Sequence, residues 1–564
     1  MKDTATEVAA DIAIQSATSA GKNKKKAPTM GPVRTNLEAF GVAILAAVLL
    51  KWFCIEAYQI PTSSMQPTLM GDTSAGVFDR ILVDKLLPTI REPKRFDITV
   101  FKYPLQKNQN YVKRIGGMPG DHLHIGGGNL YQVTEVESKR SYTIIHKPAD
   151  LQAEMWKNLY PARRLVRAES KGLVNSFHGT PSRVFSEDEN GFIAALDGSR
   201  AALIFEDKED GGCIDRVWDG YPEAVSRAMR DDMKKKGQLN RPQEIVPDVR
   251  IAATITPDKT LDELAFEIEV LRPGFDKWTY ALVVRGGKGV LLVRAKDSQE
   301  LGKSPEFAVE LAPGKAVRLT FAHVDDELIA WRDGVELQRF DTSAWACREA
   351  CVLPFSPTAG LELTGNHKVN PQIVCRGQGK VRFDDVQVDR DQHYTRLDSP
   401  EIIEVPEGHY YMLGDNTLQS IDSRGWTAIT VGVDKDNHVV PPDTPGARTV
   451  RGNKRAMRLG DYPDRDETPI GIPSEHCIVM IDEYGEILRL SADIGLDWPR
   501  ISFLQPNAQD GRGEWEAPDS QNAKGISFVP RADIQGRAVL VFYPSRPLAW
   551  LFGSNWPGRF GFVR

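Results

Sequence analysis

The stretch Tyr111-Val112-Lys113-Arg114-Ile115-Gly116-Gly117-Met118-Pro119-Gly120-Asp121 decides the reading of this chain. Its first half is a β-prone run and its second half is a turn. A lysine sits inside the run, where alternate side chains face opposite sides of a sheet. Upstream, Arg80-Ile81-Leu82-Val83 and Phe96-Asp97-Ile98-Thr99-Val100-Phe101 repeat the pattern of short strand and turn signal. From Gln59 to Gln132 the sequence therefore predicts an all-β fold.

Working outward, residues 1–35 are polar and small, with lysines at 22, 24, 25 and 26. They read as a disordered basic tail. Next, Leu37 to Ile55 is apolar apart from Glu38 and Lys51, with no charge from Ala39 to Leu50. At ~1.5 Å per residue this run approaches the ~30 Å hydrocarbon core of a bilayer. No small-residue cleavage site follows it, and it has no polar face. It therefore predicts an uncleaved transmembrane helix at 36–56, with Lys51 snorkelling and Trp52 and Tyr58 at the interface. The lysines before it predict a cytoplasmic N-terminus, a single pass through the cell membrane and an extracytoplasmic remainder in contact with lipid.

With 564 residues, the chain has room for two to four domains. A net charge of −6 gives no global reason to expect a nucleic-acid partner. The six cysteines form no CxxC pair and the histidines no HExxH, so neither a metal nor another cofactor is expected. Cys347 and Cys351 could pair only with their Cα atoms within ~7 Å. Strand patterns resume from Val249 to Val388, separated by turns such as Gly286-Gly287 and Asp333-Gly334. They predict a β-sandwich over about 245–395 within an insert spanning 133–400. Residues 431–525 are rich in Asp, Arg, Pro and Gly and read as a loop-rich insertion, and 526–564 as final strands and a tail.

Three segments stand out as candidate sites. They are Ile60-Pro61-Thr62-Ser63-Ser64-Met65-Gln66-Pro67-Thr68-Leu69, the lysine stretch above, and Gly414-Asp415-Asn416 followed by Ser420-Ile421-Asp422-Ser423-Arg424. Each alone has an ordinary structural explanation. Together, in this order after an apolar segment, they resemble the bacterial-type signal peptidase I family of Ser/Lys endopeptidases. The resemblance covers roughly 57–132, 404–426 and 526–543, and divides the catalytic core into 57–132, 401–430 and the last strands.

The resemblance implies that Ser64 is the nucleophile and Lys113 its general base. Thr62 and the Ser64 N–H would form the oxyanion hole, and Ser420 would orient the lysine. Met65, Asp415, Asn416, Asp422 and Arg424 would support the site, the last two as an ion pair. It also implies signal peptides of exported preproteins as substrates. The related endoplasmic-reticulum branch has histidine at the lysine position, so Lys113 implies a bacterial or organellar type. Serine needs a base to take its proton, and lysine acts as one only when neutral. Burial on the strand face shared with Tyr111 and Ile115 would favour that form, with Arg114 facing the other way. Ser63 stands where the family has glycine, and Thr417-Leu418-Gln419 replaces a more polar stretch. The stretch Val317–Phe321 through Leu328–Leu337 loosely resembles jelly-roll domains, which implies a carbohydrate or protein ligand; the bland reading is an inert spacer. The rival function is a membrane-anchored β-sandwich binding protein on an inactive peptidase scaffold.

Overall fold

The computed structural model describes most of residues 32–160, 177–206, 245–343, 368–440 and 528–543, with shorter stretches elsewhere. Helix α1 (Pro32–Leu49) passes into a single π turn, Leu50–Cys54. Leu37, Phe40, Val42, Ile44, Leu45, Val48 and Leu49 are exposed on it. The expected span at 36–56 is shorter than anticipated, because α-helical geometry stops at Leu49 and Ile55 already belongs to a strand. The helix starts earlier too, which brings Arg34, Asn36 and Glu38 into its first turns. No helix among the described residues is long and apolar enough to cross a membrane.

The remaining chain, from Glu56, is one unit dominated by strands. Its first part runs through β1 (Ile55–Gln59), β2 (Arg80–Asp84), β3 (Ile98–Tyr103), β4 (Gln106–Gly117), β5 (His122–Gly126), β6 (Asn129–Val136) and β7 (Lys139–Ile144). A short helix α2 (Ala149–Met155) then leads into β8 (Lys157–Tyr160). The middle of the chain supplies β9 (Val249–Pro257), β10 (Leu261–Leu271), β11 (Trp278–Arg285), β12 (Lys288–Arg294), β13 (Val317–Val324), β14 (Glu327–Arg332) and the long β15 (Lys368–Arg390). It closes with β16 (His409–Leu413), β17 (Phe528–Pro530) and β18 (Ile534–Tyr543).

The sheet that carries the lysine has the order β1-β2-β18-β3-β4-β16-β17. Its strands come from the segments expected to form the core, brought together across the insert. Alternation explains its inner face: on β2, Ile81 and Val83 are buried while Arg80, Leu82 and Asp84 are only half so. Ile60, Met65, Leu69, Ile98, Val100, Ala538 and Val541 join the two inward residues in one cluster. Pairing of β3 with β4 sets Thr99 opposite Lys113 and Ile98 opposite Arg114. A meander of β5, β6 and β7 packs Leu123, Ile125 and Leu130 against Tyr411 and Leu413.

In the insert, β15 passes from one sheet to another. Its first half pairs with β10, its second with β9, and Gly377 and Gly379, both at positive φ, lie between. Glycine is needed there because a side chain strains that backbone region. One buried cluster joins Phe266, Leu282 and Val293 of the first sheet to Ile251, Phe321 and Val388 of the second. Strands Gly191–Asp197 and Ala201–Phe205, and β8, also pair with β15. The sheets therefore draw on strands upstream of the expected 245–395. Residues 431–525, read as loops, contain paired strands at Arg448–Asn453, Cys477–Ile481 and Ile487–Ser491. Their apolar runs are short and lie among Asp, Arg and Pro, which hid the strand signal. Cys347 and Cys351 lie outside the described residues, while Cys54 and Cys375 are free thiols.

Where β15 leaves the insert, buried His393 sits against Gly128, at which a Cβ would come 2.2 Å from the imidazole Nδ1. Burial pushes this imidazole down to about 4 from 6.5. On acidification the unfolded chain therefore takes up a proton that the fold refuses, and stability falls between those two values. His393→Gln should reduce the loss between pH 7 and pH 4.5 by about 2 kcal/mol, read from urea melts at both pH values. An unchanged pH slope would contradict the assignment.

Candidate active site

The serine segment leaves β1, runs extended through Thr62, and tightens into a 3-10 turn at Ser63–Met65. Ser63 lies within that turn, which any L-residue can adopt, so the missing glycine is tolerated. The turn continues with Leu69 N–H donating to the Met65 carbonyl at 2.8 Å. Met65 and Leu69 plug it into the core, leaving Ser64 half-buried at the edge.

Lys113 reaches this turn from the middle of β4. Its Nζ lies 2.5 Å from Ser64 Oγ, and the side chain is 3% exposed. Residues 49 apart in sequence thus meet, with the Lys113 ammonium nitrogen also 5.7 Å from the centre of the Tyr111 ring. Thr62 Oγ1 lies 3.4 Å from Ser64 Oγ, so the three polar atoms form one small group.

The loop after β16 lines the other side. Asn416 donates its backbone N–H to the Ser64 carbonyl at 3.2 Å and its side-chain amide to the Ser63 carbonyl at 3.0 Å. Asp422 and Arg424 form a fully buried pair, with Arg424 Nη2 and Nε at 2.6 and 2.8 Å from the carboxylate. The Gly414 N–H donates to the same carboxylate at 2.8 Å. Burial would raise the Asp422 carboxyl, but Arg424, these hydrogen bonds and the Lys113 charge hold it below the ordinary range.

Ser420 differs from expectation. It is buried beside Gly414, where a Cβ would meet its Oγ at 2.0 Å and the Ser64 carbonyl at 2.5 Å. Its hydroxyl has no hydrogen-bond partner, so the expected contact with Lys113 is not made. Gly414 opens space for Ser420 close to the serine turn, but the hydroxyl stops short of the lysine.

The sequence reading missed a second buried centre behind the first. Arg114, next to Lys113 and on the opposite face of β4, makes a two-pronged ion pair with Asp415 at 2.9 and 2.7 Å and donates to the Phe96 carbonyl. Tyr394 OH donates to the same carboxylate at 3.2 Å and Thr68 Oγ1 makes a further short contact with it. Burial opposes ionisation of Asp415, yet Arg114 holds its carboxyl below the usual range. Arg114 was legible only as facing away from Lys113; nothing in the sequence separated a buried pair from a solvated one.

Among the described residues, one group of possible metal ligands lies elsewhere. Asp248, Asp325 and Asp391, all buried, lie within 4.8 Å of one another. The cation among them is Lys147, whose Nζ is 2.5 Å from Asp325 and 2.9 Å from Asp391. Sequence spacing did not reveal this group, since its members come from four distant segments.

The profile of the family described as "Signal peptidase, peptidase S26" matches residues 33–163 and 365–440, leaving out the middle of the insert. In these two stretches the chain is similar to the signal peptidase family, peptidase S26. It is 38% identical over 91 residues to signal peptidase I of Pseudomonas aeruginosa, covering 15% of this chain and 32% of that protein. It is 35% identical over 116 residues to the probable signal peptidase I-2 of Synechocystis, covering 19% of this chain and 49% of that one. The chain thus spans about a third to a half of the length of these curated relatives. Among solved structures, a carbohydrate binding module from Bacillus subtilis aligns at 7% identity and a TM-score of 0.21, over 36% of this chain and 90% of that one.

Proposed function

We propose that this protein is a membrane-anchored serine endopeptidase that removes signal peptides from exported preproteins. The observation that carries the reading is the 2.5 Å approach of Lys113 Nζ to Ser64 Oγ in a buried setting. Ser64 Oγ attacks the carbonyl carbon of the residue before the cut while Lys113 takes the hydroxyl proton. Lys113 then delivers that proton to the leaving amine as the C–N bond breaks, leaving an acyl-enzyme. Water, deprotonated by the same amine, hydrolyses the ester and restores Ser64. Because the amine must be neutral to start, the rate rises with pH until Lys113 has lost its proton.

Thr62 Oγ1 and the Ser64 N–H would hold the oxyanion. Thr62→Val should slow turnover by about 10²–10³-fold, whereas Thr62→Ser stays near the parent rate. Initial rates on one preprotein decide this, and a normal rate for Thr62→Val would remove Thr62 from the oxyanion hole.

The anchor reading rests on the exposed apolar side chains of α1 and the uncharged run 39–50. The test of the function uses purified full chain and a preprotein with small residues at −3 and −1. Sequencing the new N-terminus should locate the cut just after the −1 residue. An intact preprotein would contradict the reading.

A further inference from the structure

Lys157 lies outside the serine, lysine and Gly-Asp-Asn segments, near the end of the first stretch that the family profile matches, and its side chain is buried and points into the catalytic loops. It is the first residue of β8, the strand that enters the insert, and it pairs with Arg390 at the end of β15, the strand that leaves it. This pairing sets both ends of the insert side by side over the loop 414–417. From the entering end, Lys157 Nζ donates to Thr68 Oγ1 at 2.9 Å. From the leaving end, Gln392 donates to the Asp415 carbonyl at 2.7 Å and Thr395 N–H to Thr417 Oγ1 at 2.9 Å. Thr68 ends the turn stretch that begins at Ser63 and holds Ser64, and its hydroxyl, accepting from Lys157, donates onward to Asp415. Asp415 in turn holds Arg114, the neighbour of Lys113.

We infer that Lys157 is a positioning residue that fixes the Ser64 turn against the Lys113 strand through Thr68 and Asp415. The Asp415 carboxylate is the shared anchor of the two reacting side chains. A hydroxyl has one proton to donate, so an ammonium on its acceptor side commits that proton to Asp415. Without Lys157 the Thr68 hydroxyl loses the donor that fixes its orientation, and the hold of the serine turn on Asp415 weakens. A displacement of about 1 Å in a reacting group can cost on the order of 10²-fold in rate. The Arg114–Asp415 pair remains charge-balanced without Lys157, so the variant should fold.

This inference rests on the peptidase reading. In the full-length protein, Lys157→Met should lower kcat about ten- to a hundredfold with KM within about twofold, for the reason just given. Thr68→Val should lose the same factor, Thr68→Ser little, and the Lys157→Met/Thr68→Val double variant no more than either single change. The pH midpoint of kcat should stay where it is in the parent, because the effect is geometric. Parent kcat in Lys157→Met, additive losses, or a shifted midpoint in Lys157→Met alone would each overturn the inference while leaving the peptidase reading intact. If the parent cuts no preprotein, that reading fails instead. The link is then read from urea melts of the same four proteins, where a non-additive double variant supports it and additive losses overturn it.

Discussion

Replacing Ser64 by alanine should abolish cleavage, a fall of about 10⁴–10⁶-fold, and Lys113→Ala should do the same. The double variant should be no slower than either single one. The reason is geometric: Lys113 Nζ and Ser64 Oγ are within hydrogen-bonding distance, and in the proposed mechanism they act as one unit, so removing either removes the activated nucleophile. Neither change touches the hydrophobic cluster formed by Met65 and Leu69 with Ile98 and Val100, so both variants should melt near the parent. Single-turnover rates on a labelled preprotein measure the effect. A double variant clearly slower than the singles would mean that the two side chains contribute separately.

The second large effect is on stability. Arg114→Met should cost about 3–5 kcal/mol, because it strands the fully buried Asp415 carboxylate without its cation. The exchange should also expose the protein to a rise in pH. In the parent, Arg114 keeps the Asp415 carboxyl below its usual range, so the pair stabilises the fold above about pH 4 and the benefit is lost as pH falls below that. Without the arginine, burial dominates and favours the protonated acid. The variant should therefore be closest to the parent in acid and furthest from it at neutral pH. Urea denaturation at pH 4 and pH 7 tests this; a gap that is the same at both would contradict the ion-pair account.

Much of the site could be read before the fold was seen. The serine turn, the lysine strand and the Gly-Asp-Asn loop are local patterns, and each holds its residues by short-range rules of turn and strand. What a sequence does not contain is which distant segments meet. Arg114 and Asp415 are 301 apart and Lys157 and Thr68 are 89 apart, so their contacts depend on strand pairing across the insert. Ser420 shows the converse limit: its place in the motif is clear, but whether its hydroxyl reaches Lys113 depends on how the backbone packs at Gly414. The apolar run after residue 36 announced a helix, though its ends were set by Pro32 and by the strand beginning at Ile55. In the insert, alternation along β10 and β11 was visible, whereas the recruitment of β8 and the strands at 191–205 was not.

The most direct test of the Ser/Lys assignment is the rate of preprotein cleavage by the full chain carrying Lys113→Arg. Arginine keeps the positive charge and length but stays protonated at any working pH, with a pKa above ~12. If Lys113 is the general base, cleavage by this variant should be as low as by Ser64→Ala; substantial cleavage would show that the base lies elsewhere.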